Sequence, residues 1–331
     1  MKNQRFRFVR SLLLVALSFL LTTVACYNPA TQEPDSSARQ LANSSECRII
    51  QHSLGEICIP LQPQRIVALD IPTVLDSLIA LDIKPVGRVV DYLGGERYFP
   101  NLLPDEVAGI ETVGREGTPS LEKVLKLKPD LILLVRDGNV QTYEQLSDIA
   151  PTAVIDVYRI RDSIKDTFRY IAQLVNREEK AEIFLSQYEK RVAEFQEKLG
   201  NKLAGLEISV IDHFGKNFWL RPKDSAIFQV FKEVGIPIKP MLLEYNEAAT
   251  FSIEAIDQYD ADILFIIEDG SASYLSQQPL IQSLESVKNN RAYIVSRKIW
   301  DFGGPIGMNL FLDDISKYLL EGKKDPYFER S

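Results

Sequence analysis

A set of arginines and aromatic residues falls at or just beyond the ends of predicted strands. Tyr92 follows the strand read over residues 86–90, Arg136 the strand over 131–135, and Tyr158 the strand over 154–157, with Arg159 beside it. Trp219 and Arg221 lie in the segment before a helix that starts at Ser225, and Trp300 follows the last predicted strand. A guanidinium offers a planar fork of donors to oxygen-rich groups, and an aromatic ring offers a flat face to an organic scaffold. Together they would make a ligand site, with an arginine and two tryptophans opposite a tyrosine wall. Taken singly, each has a plainer reading, since isolated aromatics mostly pack and isolated arginines are mostly solvated.

Little else in the chain points to chemistry. His213 ends a predicted strand and His52 sits between two cysteines. For a lone histidine, hydrogen-bonded structure is the plainer role. Two distant histidines fall short of the clustered histidines and carboxylates that hold a bare zinc or manganese ion. The chain has no Gly-x-Ser-x-Gly elbow, no His-Glu-x-x-His and no phosphate-binding Gly-x-x-x-x-Gly-Lys-Ser/Thr loop. The expectation is therefore no catalytic residue, no enzymatic cofactor and no directly bound metal, with a surface-anchored enzyme kept as a weaker alternative.

The elements that would carry these residues come from pattern. Short β-rich runs alternate with helical stretches: strands over 66–69, 84–90, 129–135 and 152–157, with helices over 73–81, 120–127 and 143–149. Such alternation implies parallel pairing and an α/β lobe. A helical zone follows over 162–174. After Asn176, read as an N-cap, a second helix runs to Leu199 and stops at Gly200. At ~1.5 Å per residue it would span roughly 35 Å, the width of a lobe. Strands over 207–213, 263–267 and 291–296 alternate with helices over 225–234, 252–259, 280–287 and 310–320. The fold class expected is α/β: two Rossmann-like lobes with central parallel sheets, joined by one long interlobe helix.

The N-terminus differs from the body. Lys2, Arg5, Arg7 and Arg10 precede an apolar run over 12–21, broken only by Ser18. The run is too short for a spanning helix of about 20 apolar residues and fits a signal-peptide core. Thr23-Val24-Ala25-Cys26 resembles a bacterial lipobox, in which the cysteine is acylated and becomes the first residue; Thr23 stands where leucine is most common. Residues 1–25 are thus expected to be a lipoprotein signal and 26–46, rich in Ser, Pro, Thr, Gln, Asn and Ala, a flexible tether. The lobes are expected over 47–161 and 201–331, with the helical region over 162–200. Cys47 and Cys58 flank two strand-like runs around Leu54-Gly55-Glu56, so they are expected to pair across a hairpin outside the cytoplasm. The net charge is 38 − 46 = −8, and removing the leader's four bases leaves 34 − 46 = −12. So acidic a body argues against nucleic acid and against electrostatic adhesion to anionic lipid.

Several segments, in order, resemble a known family. They are Pro60-Leu61-Gln62-Pro63-Gln64-Arg65-Ile66-Val67-Ala68-Leu69, then Leu78-Ile79-Ala80-Leu81-Asp82-Ile83-Lys84-Pro85-Val86-Gly87. Pro119-Ser120-Leu121-Glu122-Lys123-Val124-Leu125-Lys126-Leu127-Lys128-Pro129-Asp130-Leu131-Ile132 is the strongest. Ser252-Ile253-Glu254-Ala255-Ile256, followed by Ala261-Asp262-Ile263-Leu264-Phe265, is its partner in the second half. Each alone is weak, but the order and spacing are specific. The chain is similar to the periplasmic substrate-binding proteins of iron–siderophore and cobalamin ABC importers, the helical-hinge class, from about Cys47 to Leu320.

The resemblance implies a monomer, lipid-anchored on the extracytoplasmic side (periplasmic in a Gram-negative-type cell). It would capture a ferric siderophore in the interlobe cleft and deliver it to the membrane permease and, through that, the ATPase. It implies that Glu122 and Glu254, one per lobe, pair with permease arginines, although acidic residues favour helix N-termini in any case. Haem or cobalamin is the alternative ligand within the class, and a sensory receptor of the same fold an alternative role. One long helix between the lobes implies only slight closure on ligand binding.

Overall fold

The run Leu131-Ile132-Leu133-Leu134-Val135 is buried at every position, as a strand covered on both faces must be. It belongs to one of two sheets in the computed structural model, which describes residues 47–52, 54–93, 96–98, 101–136, 142–156, 164–268 and 272–322. The expected signal segment, Cys26, the tether over 26–46 and Tyr158 lie outside the described residues.

The chain enters through a hairpin of β1 (Cys47–His52) and β2 (Gly55–Pro60), paired antiparallel and joined by a Cys47–Cys58 disulfide with Cα atoms 5.7 Å apart. The first lobe then lays down β3 (Ile66–Ala68), α1 (Asp76–Ala80), β4 (Gly87–Leu93), β5 (Glu96–Tyr98), β6 (Glu111–Arg115), β7 (Thr118–Pro119), α2 (Leu121–Lys126), β8 (Leu131–Val135) and β9 (Thr152–Ile155). The sheet order is β7-β6-β4-β3-β8-β9, with β5 on β4. Pairings among β6, β4, β3, β8 and β9 are all parallel. In chain order these five run third, second, first, fourth, fifth, the Rossmann arrangement, whose order reverses between β3 and β8.

The helices α3 (Ile164–Leu174) and α4 (Glu178–Leu199) lead into the second lobe. Asn176 does not cap α4. It takes φ 54° in the tight turn between the two helices, and Arg177 stands at the cap without a side-chain capping bond. Asparagine tolerates the left-handed conformation better than most residues, and here the turn outweighs the cap. The second lobe comprises β10 (Ile208–Phe214), β11 (Asn217–Leu220), α5 (Ala226–Val234), β12 (Ala249–Phe251), a 3-10 turn over Ile253–Tyr259, β13 (Ile263–Glu268), β14 (Ala292–Ser296) and α6 (Pro305–Leu319). Its sheet order is β12-β11-β10-β13-β14, with β10, β13 and β14 parallel.

At 22 residues α4 is about 33 Å long. Near its start Lys180 pairs with Asp82 of the first lobe and Glu182 accepts from Arg169 of α3. Farther on Tyr188 donates to Glu233 at 3.0 Å and Arg191 reaches Asn309 and Asp313 of the second lobe. It is the single rod that both lobes grip.

The lobes also touch directly. Asp76, fully buried in α1, accepts the backbone N–H of Ile306 and of Gly307, each at 2.9 Å, and so caps the start of α6 in the other lobe. A Cβ on Gly304 would meet this carboxylate at 2.3 Å, so only glycine allows the approach. Burial pushes Asp76 up to about 7, against the pull of the two N–H groups. Asp76→Ala would leave two buried donors without their acceptor. The expected cost is about 2–3 kcal/mol, read as a lower denaturant midpoint, with Gly304→Ala shifting it the same way.

Sequence pattern misses α6's start, which lies at Pro305 and not near 310, because the glycines at 303, 304 and 307 read as helix breakers. It also misses β11, whose four residues are too few for a periodic signal. Phe218 and Leu220 point inward there and Trp219 outward.

Candidate functional site

Both parallel sheets send polar residues from the carboxyl ends of their strands, where α/β folds collect ligands. In the first lobe Asp70 follows β3, Asp91 and Tyr92 lie near the end of β4, Arg115 ends β6 with Glu116 next, Arg136 follows β8 and Asp156 follows β9. Asp70 and Arg136 flank the point where strand order reverses. In the second lobe Asp212, His213 and Phe214 end β10, Glu268 ends β13 and Arg297 follows β14; Arg221 follows β11, which runs antiparallel to β10, and its side chain reaches back to Asp212.

The arginines are held by carboxylates. Arg221 donates through Nε to Asp212 Oδ2 (2.7 Å), through Nη2 to Asp212 Oδ1 (2.8 Å) and through Nη1 to Asp301 (3.3 Å). Arg297 donates to the same Asp212 Oδ1 at 2.7 Å and to the His213 carbonyl at 3.1 Å. Burial pulls the Arg221 guanidinium down, but the carboxylates of Asp212 and Asp301 more than offset it, so the group is held more firmly charged than usual. In the first lobe Arg136 donates to Asp156 at 2.8 Å. Arg115 lies 3.9 Å from Asp91, with its guanidinium 5.2 Å from the Tyr92 ring centre.

Aromatic faces border these arginines. Trp219 is 41% exposed and Tyr92 42%, with Phe214 and Tyr274 also open to solvent. His213 is buried, its ring tilted against Phe218 at 4.9 Å and its Nδ1 3.5 Å from Glu268, which fits its plainer structural role. Trp300 must be corrected. It is 0% exposed, packs 4.8 Å from both Phe265 and Phe311, and donates Nε1–H to Asp314 at 2.9 Å. It sits in a short helix (Arg297–Trp300) that turns back under the sheet, so being next after a strand does not bring it to the strand end. Sequence reasoning missed Arg297, although it directly follows a predicted strand, as Arg136 does. It also missed Asp212, which only the register of β10 beside β11 brings to Arg221.

The two crowns meet at the lobe junction. Asn101 of the first lobe binds the Lys298 and Asp301 carbonyls at 2.9 and 3.1 Å. A groove of about 590 Å3 runs there between Arg88, Leu102, Val107, Ile110 and Thr112 of the first lobe and Lys298 of the second; none of the candidate ligand residues lines it. Glu116 is pushed up to about 8 by burial first, then by Asp70, Asp91 and, across the junction, Asp301. Asp70, hydrogen-bonded to Glu116, is also raised by burial. A carboxyl raised in the folded state stabilises the fold below its ordinary value and loses that contribution as pH rises through the folded value. Thermal stability is therefore expected to decline between about pH 5 and about pH 9, and Glu116→Gln to flatten the decline; melting curves across that range test it.

Glu122 and Glu254 hold equivalent places. Glu122 lies in the first turn of α2, capped by Ser120, and its side chain is 76% exposed beside Lys126 Nζ at 2.6 Å. Glu254 lies in the first turn after Ser252; the Ser252 hydroxyl and the residue's own N–H hold its carboxyl below the usual range. A helix leading into a parallel strand runs antiparallel to it, so each glutamate stands at the strand-carboxyl edge of its own lobe.

This architecture has relatives. The family model described as periplasmic binding protein matches residues 76–298. The probable siderophore-binding lipoprotein YfiY of Bacillus subtilis is 30% identical over 331 residues, 95% of this chain and 98% of that protein. The achromobactin-binding periplasmic protein of Dickeya dadantii is 29% identical, over 77% of this chain and 86% of its own. Among solved structures, Staphylococcus aureus SirA complexed with staphyloferrin B superposes with a TM-score of 0.71 at 25% identity, covering 82% of this chain and 98% of that one. The matched family and the relatives are binding proteins, not enzymes, and the two lobes on one rod are the architecture they share. The chain belongs to the periplasmic binding protein family.

Proposed function

We propose that this protein is the substrate-binding component of an ABC importer that captures a ferric siderophore between its lobes and presents it to the permease. The observation that carries this reading is the Asp212–Arg221–Arg297 cluster at the strand ends, with Trp219 and Phe214 exposed beside it. Guanidinium N–H groups suit a complex's outer oxygens, and the rings suit its organic scaffold. Relatives named for siderophore binding, and a relative solved with staphyloferrin B, support the ligand class. In this reading Arg136, Arg221, Tyr92, Tyr158 and Trp219 face the ligand. Glu122 and Glu254 meet the permease, and acylated Cys26 holds the protein at the membrane on a tether over 26–46. The lobes are residues 47–161 and 201–331.

The chain has two tryptophans, and Trp300 is sealed in the core, so Trp219 is the reporter. Ferric catecholates, hydroxamates and carboxylates, haem and cobalamin are titrated against tryptophan emission. A ferric siderophore is expected to quench part of it, and Trp219→Phe to abolish the quench. Saturable quenching by haem or cobalamin alone would overturn the reading.

A further inference from the structure

The described arginines of the two crowns are already matched by carboxylates. Arg115 has Asp91, Arg136 has Asp156, Arg221 has Asp212 and Asp301, and Arg297 has Asp212. Asp212 is the centre of the second-lobe set. It is 5% exposed and engages two guanidiniums at once, one of them through both oxygens. Glu116 and Asp70 add acid at the junction.

We infer that the site is matched to a ferric complex of low net charge, neutral or singly anionic, and that Asp212 is the residue that sets this preference. The inference rests on the ferric-siderophore reading above and narrows it. A trianionic complex at these guanidiniums would sit beside carboxylates that cannot leave, because Asp212 and Asp156 are buried in the strand ends. Those fixed charges would stay beside the ligand and repel it. A neutral complex meets no such repulsion. It lies against Trp219, Phe214, Tyr274 and Tyr92 and takes guanidinium N–H groups without breaking the ion pairs.

The test is calorimetric. The intact mature protein is titrated with a neutral ferric trishydroxamate and a trianionic ferric tricatecholate, each at low and high salt. The neutral complex is expected to bind at least about tenfold more tightly, with an affinity that salt changes by less than about twofold. Asp212→Asn is expected to narrow that ratio by about tenfold toward the trianion. Should that variant not fold, Asp301→Asn carries the same test, because Asp301 is partly exposed and contacts Arg221 alone among these arginines. A tricatecholate bound as tightly or more tightly by the unaltered protein, with affinity falling on adding salt, overturns the inference while leaving siderophore binding intact. An unchanged ratio in folded Asp212→Asn overturns the role of Asp212, and an unchanged ratio in folded Asp301→Asn overturns the charge matching itself. Binding of no ferric complex at all overturns the parent reading as well.

Discussion

Reversing both crown charges, Glu122→Arg together with Glu254→Arg, is expected to cut cellular uptake of the ferric ligand at least about 100-fold while changing ligand affinity less than about twofold. Both carboxylates stand in the first turn of an element that leads into a buried strand, one in each lobe. A rigid body carrying them can dock on two basic pockets with its orientation fixed. Nothing in the fold competes strongly for them. The Glu122–Lys126 pair is a solvent-exposed (i, i+4) contact worth at most about 0.5 kcal/mol, so Glu122 can exchange it for a permease arginine. Glu254 is exposed, and its carboxyl is held below the usual range by the Ser252 hydroxyl and its own N–H. Reversal turns two attractions into two repulsions at an interface, whereas truncating one buried interfacial partner already costs about 2–5 kcal/mol. The competing account is that these glutamates only complement helix N-termini, worth about 0.3–1 kcal/mol each. That account predicts a slightly lower melting temperature and normal uptake, so measuring both in one strain separates them.

Trp300→Ala is expected to destabilise the protein by about 3–5 kcal/mol, the range for emptying an aromatic site in a packed core. The ring has Phe265 on one side and Phe311 on another, and its N–H satisfies Asp314, which would be left buried with only Lys317 as partner. Urea unfolding measures the cost. The same variant should keep its ligand-induced quench, because Trp219 remains on the surface. A Trp300 that lined the ligand site would behave the opposite way: little change in unfolding midpoint, and loss of binding.

The contrast between the two tryptophans shows how far sequence reading reaches. Both lie close to strands and both look like ligand aromatics. Trp219 is lifted to the surface by the alternation of β11, where Phe218 and Leu220 take the inward places. Trp300 is turned inward by a four-residue helix whose direction depends on what it packs against. Arg136 is legible as a strand-end cation and Arg221 as a cation in the segment before the helix at Ser225, but their partners are not. Asp156 and Asp212 come within reach only through sheet pairing, 20 and 9 residues away in the chain.

Local pattern is enough for the longer buried strands, the long rod and the cysteine hairpin, while the short strands such as β11 escape it and the place of Glu122 and Glu254 follows from the family resemblance. Period, turn chemistry and cysteine spacing act over a few residues, so they mark elements that are long or locally punctuated. Only the tertiary structure decided which charges neutralise each other and how the lobes are tied, since Asp76 caps a helix 230 residues farther on. Hydrophobic periodicity records which side of an element faces inward, and burial repays it wherever the element lands. The pairing of Asp212 with two arginines depends on angles and distances between separate elements, and those are set when the cores pack.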